Sequence, residues 1–542
     1  MTPSSYVAPV GVDKFSWQIP EQFNFAVDVV DAWAEKNDGP CLIWENESGE
    51  TRRYAYSDMS RLTKKFASVL RSAGVGRGDR VLIVMPRIPE WQIVVVACLR
   101  IGAVPIPGIE MLTKRDVAYR MSNSGAVAFI CRAAKIDTYK WVANAAKVRV
   151  AVGGGSDGWI DFEESLTAAP ELNDPAAIDA EDPVIMYYTS GSTGHPKGVL
   201  HAARALYAWR MSARYWLDLR PGEIIWCTAD TGWSKAGTSI LFGPWSEGAC
   251  SFFYDGPFEP AKRLQLMEKH GITIFCASAT ELNRIINENA DGYTVTTLRR
   301  TVSAGEAMNP VVAQKWIDAT GVDVAEAYGQ TESLMLCLNT VGMEVKLGSM
   351  GKPAPGCTVG IVDHGGHPVA DGEEGTIALR VPNPQLMLGY WQDPDRSAEC
   401  FVEANGMKWY LTGDRGVRDA DGYLWYRGRL DDVISSAGYR IGPMEIENAL
   451  LEHASILECA VVGVPDAERG ERVKAFVVLK AGFDESESLV RDLQEYVKNL
   501  TAPYKYPREI EFRDSLPKTI TGKILRRVLR QVEDQQTEGS NS

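Results

Sequence analysis

Hydrophobic and polar positions follow two alternating spacings in the first part of the chain. Within residues 58–106, a stretch with apolar residues three or four apart is followed by a short apolar run, and this pair then repeats. The first spacing is typical of helices with one buried face, and the short runs are typical of buried strands. The four segments read DMSRLTKKFASVLRSAG, DRVLIVM, PEWQIVVVACLRIG and AVPIPG.

Strand-like runs of the same kind recur in the middle of the chain. They read EGACSFFYD, GITIFCA, LRRTVSAGE and DVAEAYGQT. Strands that alternate with helices over short connections are typical of a parallel or mixed sheet covered by helices. The fold class predicted for this part of the chain is therefore α/β.

The pattern changes over residues 345–430, where short strands such as TVGIVD, GTIALR and GYLWYRG alternate with turns rich in Gly, Pro and Asp. This spacing predicts a β-rich subdomain. After it, the order helix, strand, strand, helix, strand indicates a compact α+β unit of about 110 residues, an ordinary domain size. We predict a large N-terminal domain over residues 1–430 and a small, mobile C-terminal domain over residues 431–542.

Composition narrows the classes of partner. A chain of 542 residues is too long for one hydrophobic core, and its net charge of −14 argues against nucleic acid or an anionic membrane as partner. The chain opens without a secretory signal, and its longest early apolar run, WQIVVVACL, is too short to span a bilayer. The ten cysteines are scattered singly. We therefore expect a cytoplasmic protein without integral membrane association.

Residues 188–198 read YTSGSTGHPKG and combine glycines, hydroxyls and one lysine. Glycine lets the backbone adopt positive φ and point several N–H groups at one anion. In a Walker loop the lysine directly follows a glycine, whereas Lys197 follows a proline. This is therefore a different phosphate-binding loop, with a plain surface loop as the alternative. The candidate ligands for the phosphates of ATP are Thr189, Ser190, Gly191, Ser192, Thr193, Gly194 and Lys197.

Further motifs follow this loop in a fixed order. They are YGQTES at 328–333, TGD at 412–414, RGRLDD at 427–432, GYRI at 438–441 and PKTITGKILRR at 517–527. In this order they resemble the motifs of the adenylate-forming superfamily of acyl-CoA synthetases, adenylation domains and luciferases. The resemblance covers essentially the whole chain, and the C-terminal half looks closest to the medium-chain acyl-CoA synthetases.

The resemblance implies a two-step reaction. A carboxylic acid and ATP give acyl-AMP and pyrophosphate, and the thiol of CoA then displaces AMP to give acyl-CoA. ATP, Mg²⁺ and CoA are the expected cofactors and co-substrates, and the partners are small molecules. Two alternatives stay open, namely an enzyme that loads a carrier protein and a ligase for aryl or thioether acids. The oligomeric state also stays open, with a homo-oligomer as one alternative.

The same resemblance implies a role for individual residues. Glu332 is expected to bind Mg²⁺, with Thr331 on the α-phosphate, and Asp414, placed at a strand end, is expected to accept the ribose hydroxyls. The alternative role for Glu332 is a charge at the start of a helix, and the alternative for Asp414 is a cap or a turn. Lys523 is the expected catalytic lysine, since its charge offsets the repulsion between carboxylate and phosphate. The nucleotide set beyond the loop is Gly305, Glu306, Ala307, Tyr328, Gly329, Gln330, Thr331, Asp414 and Arg429.

The CoA step needs the same pocket after pyrophosphate has left. The family rotates its small domain about a hinge residue, which matches Asp431 here, and domain closure about such junctions is a general mechanism. The residues expected to face CoA after rotation are Ser436, Gly438, Tyr439 and Arg440.

Substrate choice is expected in the segment after DTGW at 230–233. Trp233 is the main candidate for the wall of the acyl pocket, with Gly237 and Ser278, and a plain core position is its alternative. The common T-E-T-G of the family reads Thr331-Glu332-Ser333-Leu334 here. The resemblance implies a short- or medium-chain fatty or related acid. The chain length is left open, because leucine replaces that glycine and puts a larger side chain near the carboxylate end.

Overall fold

The computed structural model describes residues 14–36, 38–189, 195–288, 295–436, 439–466, 469–501, 505–518, 524–526 and 528–530. Within these ranges the strands form five sheets. No helix in the same ranges is long and apolar enough to cross a membrane.

The largest sheet has nine strands, and its middle is parallel. The two strands at one end and the strand at the other end are antiparallel to their neighbours. In spatial order the strands are β16 (Lys352–Pro353), β15 (Leu334–Leu338), β14 (Val324–Gln330), β13 (Arg300–Ala304), β12 (Ile274–Cys276), β10 (Ile224–Cys227), β11 (Cys250–Asp255), β1 (Pro40–Asn46) and β2 (Thr51–Ala55).

A second sheet of five strands is parallel throughout. In spatial order it contains β4 (Val104–Gly108), β3 (Arg80–Val84), β5 (Ala128–Arg132), β6 (Val148–Val152) and β7 (Ile160–Asp161). Helix α3 (Pro89–Arg100) is buried along its whole length, as expected for a helix that is apolar on most sides.

Helices pack against both of these sheets, and helix and strand side chains together form the hydrophobic clusters of this part of the chain. The N-terminal helices are α1 (Ala32–Lys36), α2 (Tyr56–Ser72), α4 (Lys114–Ser124), α5 (Ile136–Ala143) and α6 (Phe162–Ala168). The next set is α7 (Ala203–Tyr215), α8 (Ser234–Ala236), α9 (Phe242–Ser246), α10 (Pro260–His270), α11 (Ala279–Glu288) and α12 (Pro310–Thr320), with π-helical turns at Ala26–Asp31 and Gly237–Leu241.

A small three-stranded sheet flanks the predicted phosphate-binding loop, called the phosphate loop below. Strands β8 (Pro183–Thr189) and β9 (Lys197–Ala202) form an antiparallel pair on either side of the loop, and β19 (Gly389–Tyr390) pairs with β9. The segment after the loop, VLHAARALYAWRMSA at 199–213, has a helix-like pattern in the sequence. The structure corrects this prediction at its start, because residues 199–202 belong to β9 and α7 begins only at Ala203. Pairing with β8 and β19 holds these residues extended, a long-range effect that periodicity does not contain.

The β-rich subdomain predicted over residues 345–430 is confirmed as a sheet of its own. Its strands are β17 (Val359–Val362), β18 (Glu374–Arg380), β21 (Met407–Arg418), β20 (Phe401–Ala404) and β22 (Leu424–Arg429), and the short helix α13 (Pro394–Glu399) lies beside it. A separate hydrophobic cluster forms its core.

The C-terminal unit has the two helices and three strands that the pattern predicted, and the two short strands β23 (Ile434–Ser436) and β24 (Tyr439–Ile441) complete a five-stranded sheet. Its other strands are β26 (Gly470–Leu479), β25 (Ile456–Asp466) and β27 (Glu509–Phe512), and its helices are α14 (Pro443–Leu451) and α15 (Glu487–Leu500). Apolar residues of this unit form clusters of their own. A 3₁₀ turn at Leu430–Asp432 precedes it.

Candidate active site

The parallel strands of the nine-stranded sheet end at one edge, and candidate residues follow them there. Trp233 comes after β10, Ser278 after β12, Gly305 after β13 and Thr331 after β14. Ligands of open α/β sheets bind in the crevice at the carboxyl ends of the strands. Four segments that are distant in sequence therefore meet at one crevice.

Thr331 and Glu332 lie in the tight turn between β14 and β15. Several contacts fix this turn. The Thr331 carbonyl accepts a hydrogen bond from His201 Nε2 at 2.6 Å, and the Thr331 hydroxyl lies 3.1 Å from that of Ser234. The Glu332 carboxylate accepts a hydrogen bond from the Tyr390 hydroxyl at 2.9 Å. The turn thus presents a hydroxyl and a carboxylate side by side.

Backbone conformation in the turn explains the T-E-T-G pattern. Leu334, at the position of the family's glycine, has φ +54°, and this left-handed conformation costs an L-residue about 1–2 kcal/mol relative to glycine. The leucine side chain is buried in the main core, at 3% exposure. Across the turn, a Cβ on Gly329 would lie 1.8 Å from the Leu334 carbonyl oxygen. Glycine is thus required at 329, whereas packing compensates for its loss at 334.

Asp414 is the most thoroughly held carboxylate of the site, and only 5% of it is exposed. Its Oδ2 accepts hydrogen bonds from the Tyr328 hydroxyl at 2.6 Å and from Gln330 Nε2 at 2.7 Å. The Tyr426 hydroxyl lies 3.5 Å from Oδ1, and Arg429 Nη1 lies 3.8 Å from the same oxygen. Burial, and then the nearby Asp414 charge, raise the pKa of Tyr328. The phenol therefore stays protonated and keeps donating.

The position of Asp414 in its strand differs from the prediction. The sequence placed it at a strand end, but it lies within the twelve-residue strand β21 and pairs in register with Arg429 of β22. Gly413, directly before it, has φ +74°, and the pairing shifts register two residues later. The glycine thus marks an irregularity inside a long strand, because β22 continues the pairing beyond it.

The nucleotide candidates Gly305, Glu306 and Ala307 follow strand β13. Gly305 has φ +97° at the end of β13, and the carboxylate of Glu306 accepts a hydrogen bond from the Thr280 backbone N–H at 2.6 Å. This bond ties the predicted nucleotide-binding segment to the start of α11. Ala307, the third residue of this candidate set, is half-buried.

The phosphate loop is described at its two ends only. Thr189 and Lys197 face each other in register across the β8–β9 pair. The Lys197 ammonium lies 4.4 Å from the centre of the Tyr390 ring. Burial, and then the Arg396 charge, lower the pKa of this lysine. Predicted phosphate ligands outside the described residues are Ser190, Gly191, Ser192, Thr193 and Gly194.

The acyl-pocket candidates have mixed surroundings. Trp233 is half-buried and packs against a cluster of apolar side chains. Gly237 is buried so closely that a Cβ would lie about 3.0 Å from Trp209, Phe242 and Tyr187. The Ser278 hydroxyl accepts a hydrogen bond from a backbone N–H in the first turn of α11 at 3.2 Å. The pocket role of all three residues stays a prediction.

Candidates in the C-terminal unit are described only in part. Ser436 is buried on β23, where it pairs with Gly470. The backbones of Asp431, Tyr439 and Arg440 are described, but their side chains are not. Gly438 and Lys523 lie outside the described residues.

The donor set around Glu332 fits a magnesium ion that is bound together with phosphate. In the described part of the chain, no cluster of three or more His, Cys, Asp or Glu residues is placed to hold a metal by itself. Mg²⁺ commonly uses one or two carboxylates, several waters and substrate phosphates. A single carboxylate at the crevice meets that requirement, and Thr331 adds a hydroxyl beside it.

The structure adds site residues that the sequence reasoning missed. His201 and Ser234 hold Thr331, and Tyr390 holds Glu332. Lys235 donates a hydrogen bond to the Ala304 carbonyl at 2.9 Å and ties α8 to β13. These contacts join residues far apart in the chain. The sequence offered a local signal only for Tyr390, which belongs to the aromatic pair in LGYW at 388–391. That pair does not by itself indicate a chemical role.

The chain matches two known family patterns and several known proteins. The pattern of the AMP-binding enzyme family matches residues 30–391, and that of the AMP-binding enzyme C-terminal domain matches residues 445–523. The human acyl-coenzyme A synthetase ACSM3, mitochondrial, is 42% identical, over 96% of this chain and 91% of its own length. The rat ACSM4 is 40% identical, over 97% of this chain and 94% of its own length.

Solved structures with the same fold include two ligases for aromatic acids. The anthranilate CoA ligase AuaEII in complex with anthranoyl-AMP has a TM-score of 0.85 at 27% identity and covers 97% of this chain and 99% of its own. The benzoate CoA ligase from Burkholderia xenovorans LB400 has a TM-score of 0.84 at 29% identity and covers 94% of this chain and 100% of its own. On these matches and on the motifs above, the chain belongs to the AMP-binding enzyme family and is an adenylate-forming acyl-CoA synthetase.

Proposed function

We propose that this synthetase binds Mg²⁺ and ATP at the crevice described above and activates a medium-chain fatty acid as its acyl-adenylate. The observation that supports this most directly is the clustering of Glu332, Thr331 and Asp414, with the lysine of the phosphate loop beside them. The two carboxylates have different proposed roles, since Asp414 can accept hydrogen bonds from sugar hydroxyls and Glu332 can bind a cation.

Each group has a role in the first step. Asp414 accepts the ribose hydroxyls, and Tyr328 and residues 305–307 flank the adenine. Thr331 donates its hydroxyl to the α-phosphate, while Lys197 and the loop hold the outer phosphates. Glu332 binds Mg²⁺, which neutralises charge on the departing pyrophosphate when it is bound. Positioning and neutralisation of charge are the main sources of rate in such transfers.

The C-terminal unit, with a boundary at residue 431, completes the reaction. Lys523 lies between carboxylate and α-phosphate during adenylation, and rotation about Asp431 then exchanges it for the segment that contains Ser436 and Arg440. The support for this step is the motif match, together with a C-terminal core separate from the rest of the molecule. The CoA thiol attacks the acyl carbon, and AMP leaves with the electron pair of the acyl–oxygen bond.

An aromatic acid is the second candidate substrate. The solved neighbours named as anthranilate and benzoate CoA ligases support it, whereas the curated relatives are named as acyl-coenzyme A synthetases. The half-buried Trp233 offers a flat apolar surface that suits either an alkyl chain or a ring. We propose a cytoplasmic location from the cysteine usage, although the curated relatives named above are mitochondrial.

The test is pyrophosphate release from ATP with a panel of linear, branched, thioether and aryl acids, with and without CoA. We expect release that depends on one class of acid, and acyl-CoA and AMP only when CoA is present. Release that gains nothing from CoA would indicate a carrier-protein acceptor instead. If none of the acids in the panel causes pyrophosphate release, the proposed substrate class is wrong.

A further inference from the structure

Tyr390 lies between the two charged groups of the phosphate side. The Lys197 ammonium lies 4.4 Å from the centre of its ring, and its hydroxyl donates a hydrogen bond to the Glu332 carboxylate at 2.9 Å. The residue is 9% exposed. One side chain therefore touches both the cation expected on the outer phosphates and the carboxylate expected on the metal.

The backbone holds this tyrosine firmly in place. Tyr390 pairs in register with Val199 of β9, the strand that begins at Lys197. Its N–H donates to the Ser397 hydroxyl at 2.9 Å. On the other side, the Met387 N–H donates to the Glu332 carbonyl at 2.8 Å, so the segment before Tyr390 is tied to the metal-side turn.

The ammonium and the carboxylate contact the same side chain from different sides, and their opposite charges attract each other. A direct ion pair between them would neutralise both groups before ATP arrives, and ATP and the metal would then have to break it. A phenol between them prevents this, because its ring face attracts the ammonium and its hydroxyl donates to one carboxylate oxygen.

We propose that Tyr390 is a positioning residue that keeps the phosphate-loop lysine and the metal-binding carboxylate apart and aimed at Mg²⁺ and ATP. This inference rests on the proposed function and adds a residue that the motif comparison does not assign. The two contacts can be removed separately. Tyr390→Phe keeps the ring under Lys197 and removes only the hydroxyl, whereas Tyr390→Leu removes both.

The experiment measures ATP binding by calorimetry in EDTA, and Mn²⁺ binding to the ATP complex by electron paramagnetic resonance. For Tyr390→Phe we expect ATP binding in EDTA within about twofold of wild type, and Mn²⁺ binding weakened about tenfold, because a hydrogen bond to a charged group is lost. For Tyr390→Leu we expect ATP binding in EDTA to weaken about fivefold as well. Tyr139→Phe is the matched control, since it removes a buried phenol hydroxyl that donates to the Leu112 carbonyl at 2.6 Å.

Two results would overturn the inference. One is unchanged Mn²⁺ binding in Tyr390→Phe, and the other is an equal loss of ATP binding with and without metal, which a general loosening of the fold would give. Acyl-CoA formation by wild type is measured in parallel. If wild type forms acyl-CoA and Tyr390→Phe gives either of these results, the inference alone fails. If wild type forms none with any acid of the panel, the proposed function fails with it.

Discussion

The two carboxylates of the crevice are held in opposite ways. Asp414 receives hydrogen bonds from Tyr328 and Gln330 within 2.7 Å, and a further tyrosine and an arginine lie close by. In the described part of the chain, one side chain donates to the Glu332 carboxylate, the phenol of Tyr390.

The difference indicates how each carboxylate works. Asp414 is fixed before the ligand arrives, so it can accept neutral hydroxyls without reorganising. Glu332 keeps most of its acceptor capacity for a cation, which would provide the remaining charge compensation when bound. The ribose side is therefore expected to set nucleotide affinity, and the phosphate side to set the metal requirement and the rate.

The largest expected effect is that of Glu332→Gln, which removes the proposed anionic metal ligand and keeps the shape of the side chain. We expect acyl-adenylate formation to fall about a hundredfold or more, the cost of removing a main electrostatic contact in other enzymes. The measurement is pyrophosphate release at saturating ATP across a Mg²⁺ titration. Glu403→Gln, an exposed glutamate on β20, is the control and should behave as wild type. Equal rates in Glu332→Gln and wild type would contradict the proposed metal-binding role of Glu332.

Asp414→Asn tests whether the ribose-side carboxylate sets the affinity for the nucleotide. Replacing an anionic acceptor by an amide weakens each charge-assisted hydrogen bond, so we expect ATP to bind about thirtyfold more weakly. The factor should be the same in EDTA and in Mg²⁺, in contrast to the phosphate-side variants. Calorimetry under both conditions measures it, with the exposed Asp395→Asn as control. A loss seen only with metal would show that the two carboxylates share one role.

A third prediction concerns the pH dependence of stability rather than activity. Burial lowers the pKa of His201, which holds the Thr331 carbonyl, to about 4. Because this folded-state pKa lies below the usual 6.5, the neutral imidazole contributes stability that is present above pH 6.5 and is lost as the pH falls towards 4. The loss should approach about 3 kcal/mol at the acid end. Thermal unfolding midpoints of wild type and His201→Gln between pH 4 and 8 check this.

In that series the wild-type midpoint should fall more steeply with acid than the midpoint of His201→Gln. Parallel slopes for the two proteins would contradict the assignment of this pH dependence to His201. Tyr56→Phe removes a buried hydroxyl that donates to the Ala249 carbonyl at 3.0 Å. It controls for the loss of a buried hydrogen bond and should keep the wild-type slope.

Much of this molecule could be predicted from sequence because its signals are local. The alternation over residues 58–106 is confirmed as α2, β3, α3 and β4, since hydrophobic spacing and short turns lie within one element. Glu332 and Asp414 could be proposed from sequence because each belongs to a motif of a few residues, and their roles stay predictions. Their chemical type, carboxylates beside glycine-rich turns, is readable without a structure.

The remainder depends on contacts across long stretches of chain. His201 meets Thr331 at a separation of 130 residues, and Tyr390 meets Glu332 at a separation of 58. Strand β9 was mistaken for a helix because only its pairing with β8 and β19 keeps residues 199–202 extended. The left-handed backbone at Leu334 was likewise hidden, since leucine gives no sign of positive φ. Packing, rather than residue type, determines these features.

The central claim is that an acyl-adenylate forms before CoA takes part. Exchange of labelled pyrophosphate into ATP, measured with the preferred acid and without CoA, tests it most directly, in wild type and in Lys523→Ala. We expect acid-dependent exchange in wild type and almost none in Lys523→Ala. Wild-type enzyme that makes acyl-CoA but shows no exchange until CoA is added would contradict the adenylate mechanism.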